Sequence, residues 1–210
     1  ESVLREAGYR TGLYTSPHVQ RYTERIRMCG QARRQGELAA LVTSLAPAVR
    51  RLADDPSVGA PTEFEVATAA CFQWFASQQV EIAVVEVGLG GRYDSTNVIT
   101  PEVSVITHIA MDHMDKLGNT LREIASDKAG IIKPGVPVVA GPQDPEAMAV
   151  LEDAAQCAGA PLTVVGRDVS FSVVSIDMKG TTIEMDLPSF GPVRATTGLV
   201  GEHQAANCAT

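Results

Sequence analysis

Three short, nearly continuous aliphatic runs, at residues 82–87, 103–107 and 136–140, alternate with stretches of helical periodicity. Runs of that kind suit strands buried on both faces. Strand–helix–strand alternation restricts the chain to an α/β fold, a mostly parallel sheet covered by helices in three layers. Leu38, Leu41, Val42, Leu45, Val49 and Leu52 recur at helical spacing, with Pro47 expected to kink or divide that helix. Thr62 with Glu65, and Thr120 with Glu123, read as capping boxes. Behind the first, Phe64, Thr68, Cys71, Phe72 and Phe75 share one stripe. The helix behind the second is expected to stop near Pro134-Gly135. Residues 1–7 read as the last turns of a helix before Gly8, 9–15 as a strand, and 201–210 as a helix beginning.

After about Leu162 the pattern changes. Residues 164–174, 176–178, 181–187 and 193–197 are short β-like pieces punctuated by Gly and Pro, with a hairpin turn expected at Met178-Lys179-Gly180-Thr181. They predict a small antiparallel β appendage to the parallel sheet.

The balance of 17 Lys+Arg against 25 Asp+Glu, a net charge of −8, argues against a basic surface for nucleic acid. No apolar run approaches the ~20 residues needed to span a bilayer. Cys29, Cys71, Cys157 and Cys208 are scattered without metal-ligand spacing, which favours a reducing, cytoplasmic setting.

Ligands of open parallel sheets gather beyond the carboxyl ends of the strands, and polar constellations fall there. Glu86 ends a run expected to be buried, where a carboxylate needs a cationic partner. The glycines that follow it, through Asp94 to Asn97, permit close backbone approach to a ligand; Tyr93 rules out a dinucleotide fingerprint. A tight turn with Glu86 paired to a local Arg explains the same residues. Asp112-His113 follows the run at 103–107, so His113 is either a metal or phosphate partner oriented by Asp112, or a loop histidine bonded locally. Lys128 shares a helix face with Ile124 and Ile131, which points it inward unless it snorkels to solvent. His18, Arg21 and Arg25 follow the first strand and suit an anionic substrate or local ion pairs. Asn207, on the final helix, suits a nucleobase or a neighbouring backbone group.

The order and wording of these segments resemble the folylpolyglutamate synthase/dihydrofolate synthase family of the Mur ligase superfamily. The likeness is carried by Tyr14-Thr15-Ser16-Pro17-His18, Arg21 through Ile26, Thr62-Glu63-Phe64-Glu65, Glu86 through Asn97, Asp112-His113 through Gly118, and Asp127 through Pro134. The resemblance implies a P-loop NTPase-like Mur ligase central domain over residues 1–210. Within it, 1–160 would form the parallel core, 161–200 the β-rich appendage, and 201–210 the start of a helix leading to a further domain. It implies an ATP- and Mg²⁺-dependent ligase that adds L-glutamate to dihydropteroate or a reduced folate through an acyl phosphate, and that works as a monomer without membrane or nucleic acid.

By similarity, Glu86, His113 and Ser16 would stand at Mg²⁺. Lys128 would be the carbamylated lysine, contributing to catalysis with His113 and to the nucleotide site with Asn207, which would border the adenine. Ser16, Pro17, His18, Arg21, Arg25, Phe64 and Asp94 would bind the substrate. The family's phosphate loop, GxxGKS/T, is absent from the sequence. The expectation is therefore of a stretch cut at both ends and inactive alone. A Mur-type ligase for another carboxylate and a non-catalytic nucleotide- or folate-binding module are the alternatives.

Overall fold

A computed structural model describes residues 1–210. The chain divides into two compact units, Glu1–Leu89 with Asp94–Val98, and Gly90–Tyr93 with Ile99–Thr210. The division falls inside the glycine-containing loop, so the stretch 1–160 contributes to both units.

The first unit opens with α1 (Ser2–Glu6) and β1 (Thr11–Tyr14), as the sequence predicts. It continues through β2 (Ile26–Met28), β3 (Gln31–Ala32), α2 (Gln35–Ala53), α3 (Glu63–Ser77) and β4 (Ile82–Val85). Its sheet runs β3-β2-β1-β4, with β1 parallel to β4 and antiparallel to β2. The β2–β3 ribbon was not legible in the sequence, because its strands are two and three residues long.

The Thr62–Glu65 capping box starts α3: Thr62 Oγ1 accepts from Glu65 N at 3.2 Å, and Glu65 Oε2 accepts from Thr62 N at 2.7 Å. Cys71, Trp74 and Phe75 on α3 pack with Tyr14, Ile26 and Leu38 into the core of this unit. The buried side of α3 is wider than the predicted stripe, since Ala67, Ala70 and Trp74 join it.

One of the two alternatives for Pro47 fails here, and so does the burial expected of the strand at 82–87. Pro47 does not divide α2, which runs unbroken for 19 residues. Proline removes a single donor, and on this mostly exposed helix water can satisfy the carbonyl that loses its partner. Nor is the strand at 82–87 buried on both faces. As β4 it is the last strand of its sheet, with Ala83 exposed and its neighbours half-buried.

In the second unit β5 (Ser104–Ile106), β6 (Val138–Ala140) and β7 (Leu162–Val164) form a parallel sheet in that order. Helices α4 (Met114–Leu117), α5 (Leu121–Lys128) and α6 (Pro145–Ala158) accompany it. Ile124, Val138, Ala147, Leu151 and Ala155 are its buried centre. The predicted Thr120–Glu123 box caps α5, with Glu123 N donating to Thr120 Oγ1 at 3.2 Å. That helix ends at Lys128, earlier than expected, because a 3₁₀ turn at Ala129–Ile131 takes over. At the free edge of the parallel sheet, Val103 and Val105 are exposed.

The β-rich stretch forms its own three-stranded antiparallel sheet, β8 (Ser170–Asp177), β9 (Gly180–Leu187) and β10 (Gly191–Thr197), in the order β10-β9-β8. It is a second sheet with separate hydrogen bonds. The hairpin at Met178-Lys179 lies where predicted, with Asp177 opposite Gly180. Helix α7 (Glu202–Ala209) buries Ala205 and Ala209 with Ile183 and Val165. No helix is long and apolar enough to cross a membrane.

Candidate active site

In the first unit the predicted residues are tied to one another. Beyond β1, Ser16 N donates to Glu86 Oε2 at 2.9 Å, joining the loop after β1 to the carboxyl end of β4. Glu86 is exposed. The expected cost of a buried carboxylate is therefore not incurred, because the strand reaches solvent before its last side chain. The Ser16–Pro17 peptide is cis.

The loop's curvature comes from Glu24. Its carboxylate accepts from the backbone N–H groups of Val19, Gln20 and Arg21 at 3.0, 3.2 and 2.8 Å. Those amides, Val19 first, hold the Glu24 carboxyl below the usual carboxylate range.

Arg25 Nε donates to His18 Nδ1 at 3.1 Å, and Arg25 Nη1 lies 3.5 Å from Glu63 Oε1. The Arg25 guanidinium carbon is 4.7 Å from the centre of the Tyr22 ring, and the Tyr22 hydroxyl bonds Glu63. Burial and the Glu63 carboxylate push the Tyr22 phenol upward. Arg21 is exposed at the same loop.

Phe64 stacks on Tyr14, ring centres 5.9 Å apart at 24°. It also lies on Gly88, where an added Cβ would come within 2.3 Å of the ring, so only glycine fits there. Beside this region a cavity of about 690 Å³ is lined by Tyr22, Ile26, Leu38, Val42, Val66 and Ala67, among others.

Asp94 has no idle oxygen. Oδ2 accepts from Gly88 N and Leu89 N, each at 3.0 Å, and Oδ1 accepts from Thr96 N at 2.9 Å and Thr96 Oγ1 at 2.5 Å. Its visible work is to shape the glycine loop.

The second unit places His113 and Lys128. His113 has φ +50°, a left-handed conformation that costs a non-glycine residue about 1–2 kcal/mol. Asp112 accepts from His113 N at 2.7 Å, and its other oxygen lies 3.7 Å from Nε2. The ring remains exposed.

Lys128 ends α5, half-buried, less inward than its helix face suggests. It enters none of the ion pairs of the chain. Its backbone is pressed against Gly91, where an added Cβ would lie 2.8 Å from Lys128 O. Arg92 N donates to Asp127 O at 3.0 Å. The second half of the glycine loop and the Asp127-Lys128 segment are thus knit through backbone. Asn207 is exposed on α7 and donates to Gln204 Oε1 at 3.3 Å.

Of the three residues expected at a metal, Ser16 and Glu86 lie in the first unit and His113 in the second, which also holds Lys128. Sequence reasoning missed the roles of Tyr22, Glu24 and Glu63, and that of Gln143. Gln143 donates to Thr107 O and accepts from Ile109 N, each at 2.8 Å, holding the loop after β5. Glu24, three residues after Arg21, carried only the glutamate half of a capping signal, since arginine has no acceptor for the other half; the pairing of Glu63 with Tyr22 carried none.

Residues 38–210 match the Mur ligase middle domain. Over 99% of its length the chain is 41% identical to the dihydrofolate synthase/folylpolyglutamate synthase of Bacillus subtilis (strain 168), and covers 48% of that protein. It is 38% identical to the folylpolyglutamate synthase of Lacticaseibacillus casei, again over 99% of the chain and 48% of the relative. Mycobacterium tuberculosis folylpolyglutamate synthase complexed with ADP superposes with a TM-score of 0.90 at 36% identity, over 99% of this chain and 48% of that one. An FPGS–AMPPCP–folate complex does so with a TM-score of 0.90 at 39% identity, over 99% and 51%. The chain spans about half the length of the relatives it matches.

Proposed function

The chain belongs to the Mur ligase middle-domain family, and on that premise we propose that it is the nucleotide- and substrate-handling portion of an ATP-dependent ligase joining L-glutamate to dihydropteroate, to a reduced folate, or to both. The observation that carries this reading is the likeness along nearly the whole chain to relatives named for that reaction. Solved relatives bound to ADP, or to AMPPCP and folate, support the choice of ligands.

In this reading the acceptor's carboxylate takes the terminal phosphoryl group of ATP. The amine of glutamate then attacks the acyl phosphate, forming the amide and releasing phosphate. The chain's task is to hold a carboxylate and a triphosphate together against their repulsion. Arg21 would meet the acceptor's negative charge and the Phe64 ring its flat aromatic part, with Pro17, His18, Arg25 and Asp94 shaping the loops around them. Asn207 would border the adenine.

A divalent cation such as Mg²⁺, when bound, would neutralise developing phosphate charge. Glu86 fits such an ion: it is an exposed carboxylate with Oε2 oriented by Ser16 N and Oε1 uncommitted. Ser16 is the other candidate donor of the first unit, and His113 is a candidate donor of the second unit. Lys128, unpaired by any carboxylate, is suited to react with CO₂, since the carbamate is an oxygen donor where an ammonium is not.

The test uses the full-length polypeptide carrying this chain, with ATP, Mg²⁺, glutamate and either dihydropteroate or tetrahydrofolate. Glutamate-dependent ADP release is expected with at least one acceptor; its absence with both would sink the proposal.

A further inference from the structure

We infer that Arg25 is a positioning residue that fixes His18 as the tautomer protonated on Nε2, so that this loop offers its ligand a hydrogen-bond donor and no base. The premise is the one-sided chemistry of a guanidinium, which has five N–H donors and no acceptor. Arg25 Nε stands 3.1 Å from His18 Nδ1. The bond exists only if Nδ1 keeps its lone pair, which leaves the ring proton on Nε2.

The rest of the cluster keeps Arg25 in that position. Its side chain is 13% exposed, its guanidinium lies over the Tyr22 ring, and Nη1 reaches Glu63. The Tyr22 hydroxyl bonds the same carboxylate, and the His18 ring packs 5.5 Å from the Tyr22 ring at 51°. Aromatic face, carboxylate and imidazole together use three directions of the Arg25 fork, so its charge is spent inside the protein.

The consequence separates residues that look equivalent in the sequence. Of His18, Arg21 and Arg25, only Arg21 remains an exposed cation for the ligand. His18 supplies a directed Nε2–H suited to a carboxylate or carbonyl oxygen. Resting on the ligase reading, this places His18 at an acceptor oxygen of the substrate and assigns it orientation, with no proton abstraction.

The first measurement needs no activity. Two-bond nitrogen–proton correlations of ¹⁵N-histidine-labelled full-length protein report which ring nitrogen carries the proton, and the His18 signal is identified by its loss in His18→Gln. The proton is expected on Nε2 in the parent and redistributed in Arg25→Met. A parent ring protonated on Nδ1, or one unchanged in folded Arg25→Met, overturns the inference.

Kinetics then test the consequence. Loss of one oriented hydrogen bond in Arg25→Met is expected to raise the acceptor KM about tenfold with kcat nearly constant. In the His18→Gln background, whose amide donates without help, Arg25→Met is expected to have little further effect; an equal tenfold rise there would mean that Arg25 meets the substrate directly. Should the protein lack ligase activity altogether, the functional reading fails while the tautomer measurement still decides this one.

Discussion

The two units treat the polar residues of the candidate site in opposite ways. In the first, Ser16 is bonded to Glu86, Glu24 gathers three backbone amides, His18 is bonded to Arg25, and Asp94 accepts four hydrogen bonds. In the second, His113 is exposed in a left-handed conformation, Lys128 has no ionic partner, and the exposed Asn207 side chain donates to Gln204. The first arrangement is tied together by bonds that need no ligand, so those bonds also carry stability. The second leaves the left-handed backbone of His113 and the charge of Lys128 unanswered; Cys29 and Gln79 of the first unit are left-handed too, but strain at a candidate site residue is grounds for suspecting function. Substitutions should therefore fall into two classes, one costing stability and the other activity.

The largest effect is expected in the second unit. On the proposed function, His113→Gly in the full-length protein should lower kcat by about 100-fold or more, the scale of losing one stabiliser of transition-state charge. The same change should raise stability by up to about 1 kcal/mol, since glycine adopts φ +50° without penalty. A destabilised variant with normal turnover would break the comparison. The converse is expected of Asp94→Asn in the first unit. An amide group would face backbone donors, and the loss should be about 2 kcal/mol, read as a lower denaturant midpoint at constant m-value.

The smallest effects are those of pH, and two of the groups that set them, Glu24 and Tyr22, lie in the first unit. Glu24 has a folded pKa below its usual value. Its contribution is present above the ordinary carboxylate pKa and disappears as pH falls through the lower folded value. Tyr22 is shifted the other way, upward from 10.0. Its contribution is full below pH 10 and declines as pH rises above it, because the unfolded phenol ionises first. Stability measured across both limits should sharpen the comparison. Glu24→Gln should flatten the acid limb, and Tyr22→Phe the alkaline one.

Much of the fold was legible because it rests on local signals. The capping boxes at Thr62 and Thr120 and the hairpin at Met178-Lys179 depend on neighbours a few residues apart. What escaped depends on distant partners. Whether β4 is buried is decided by what lies beside it, which its aliphatic composition does not state. Glu86 as an exposed carboxylate, and Asp94 as the organiser of Gly88 and Leu89, follow from where the loop turns. The coupling of Tyr22 to Glu63, 41 positions apart, has no local signature.

The free edge of β5 has a practical consequence. This short strand pairs only with β6, and its Val105 and the preceding Val103 are each 45% exposed. An apolar strand with unmet N–H and C=O groups is a template for another strand. A preparation of this chain should therefore scatter more light as it is concentrated, with no loss of its native circular dichroism. Lysine at position 105 is the means to quiet it, since a charge on an edge discourages pairing while leaving the strand's existing hydrogen bonds in place.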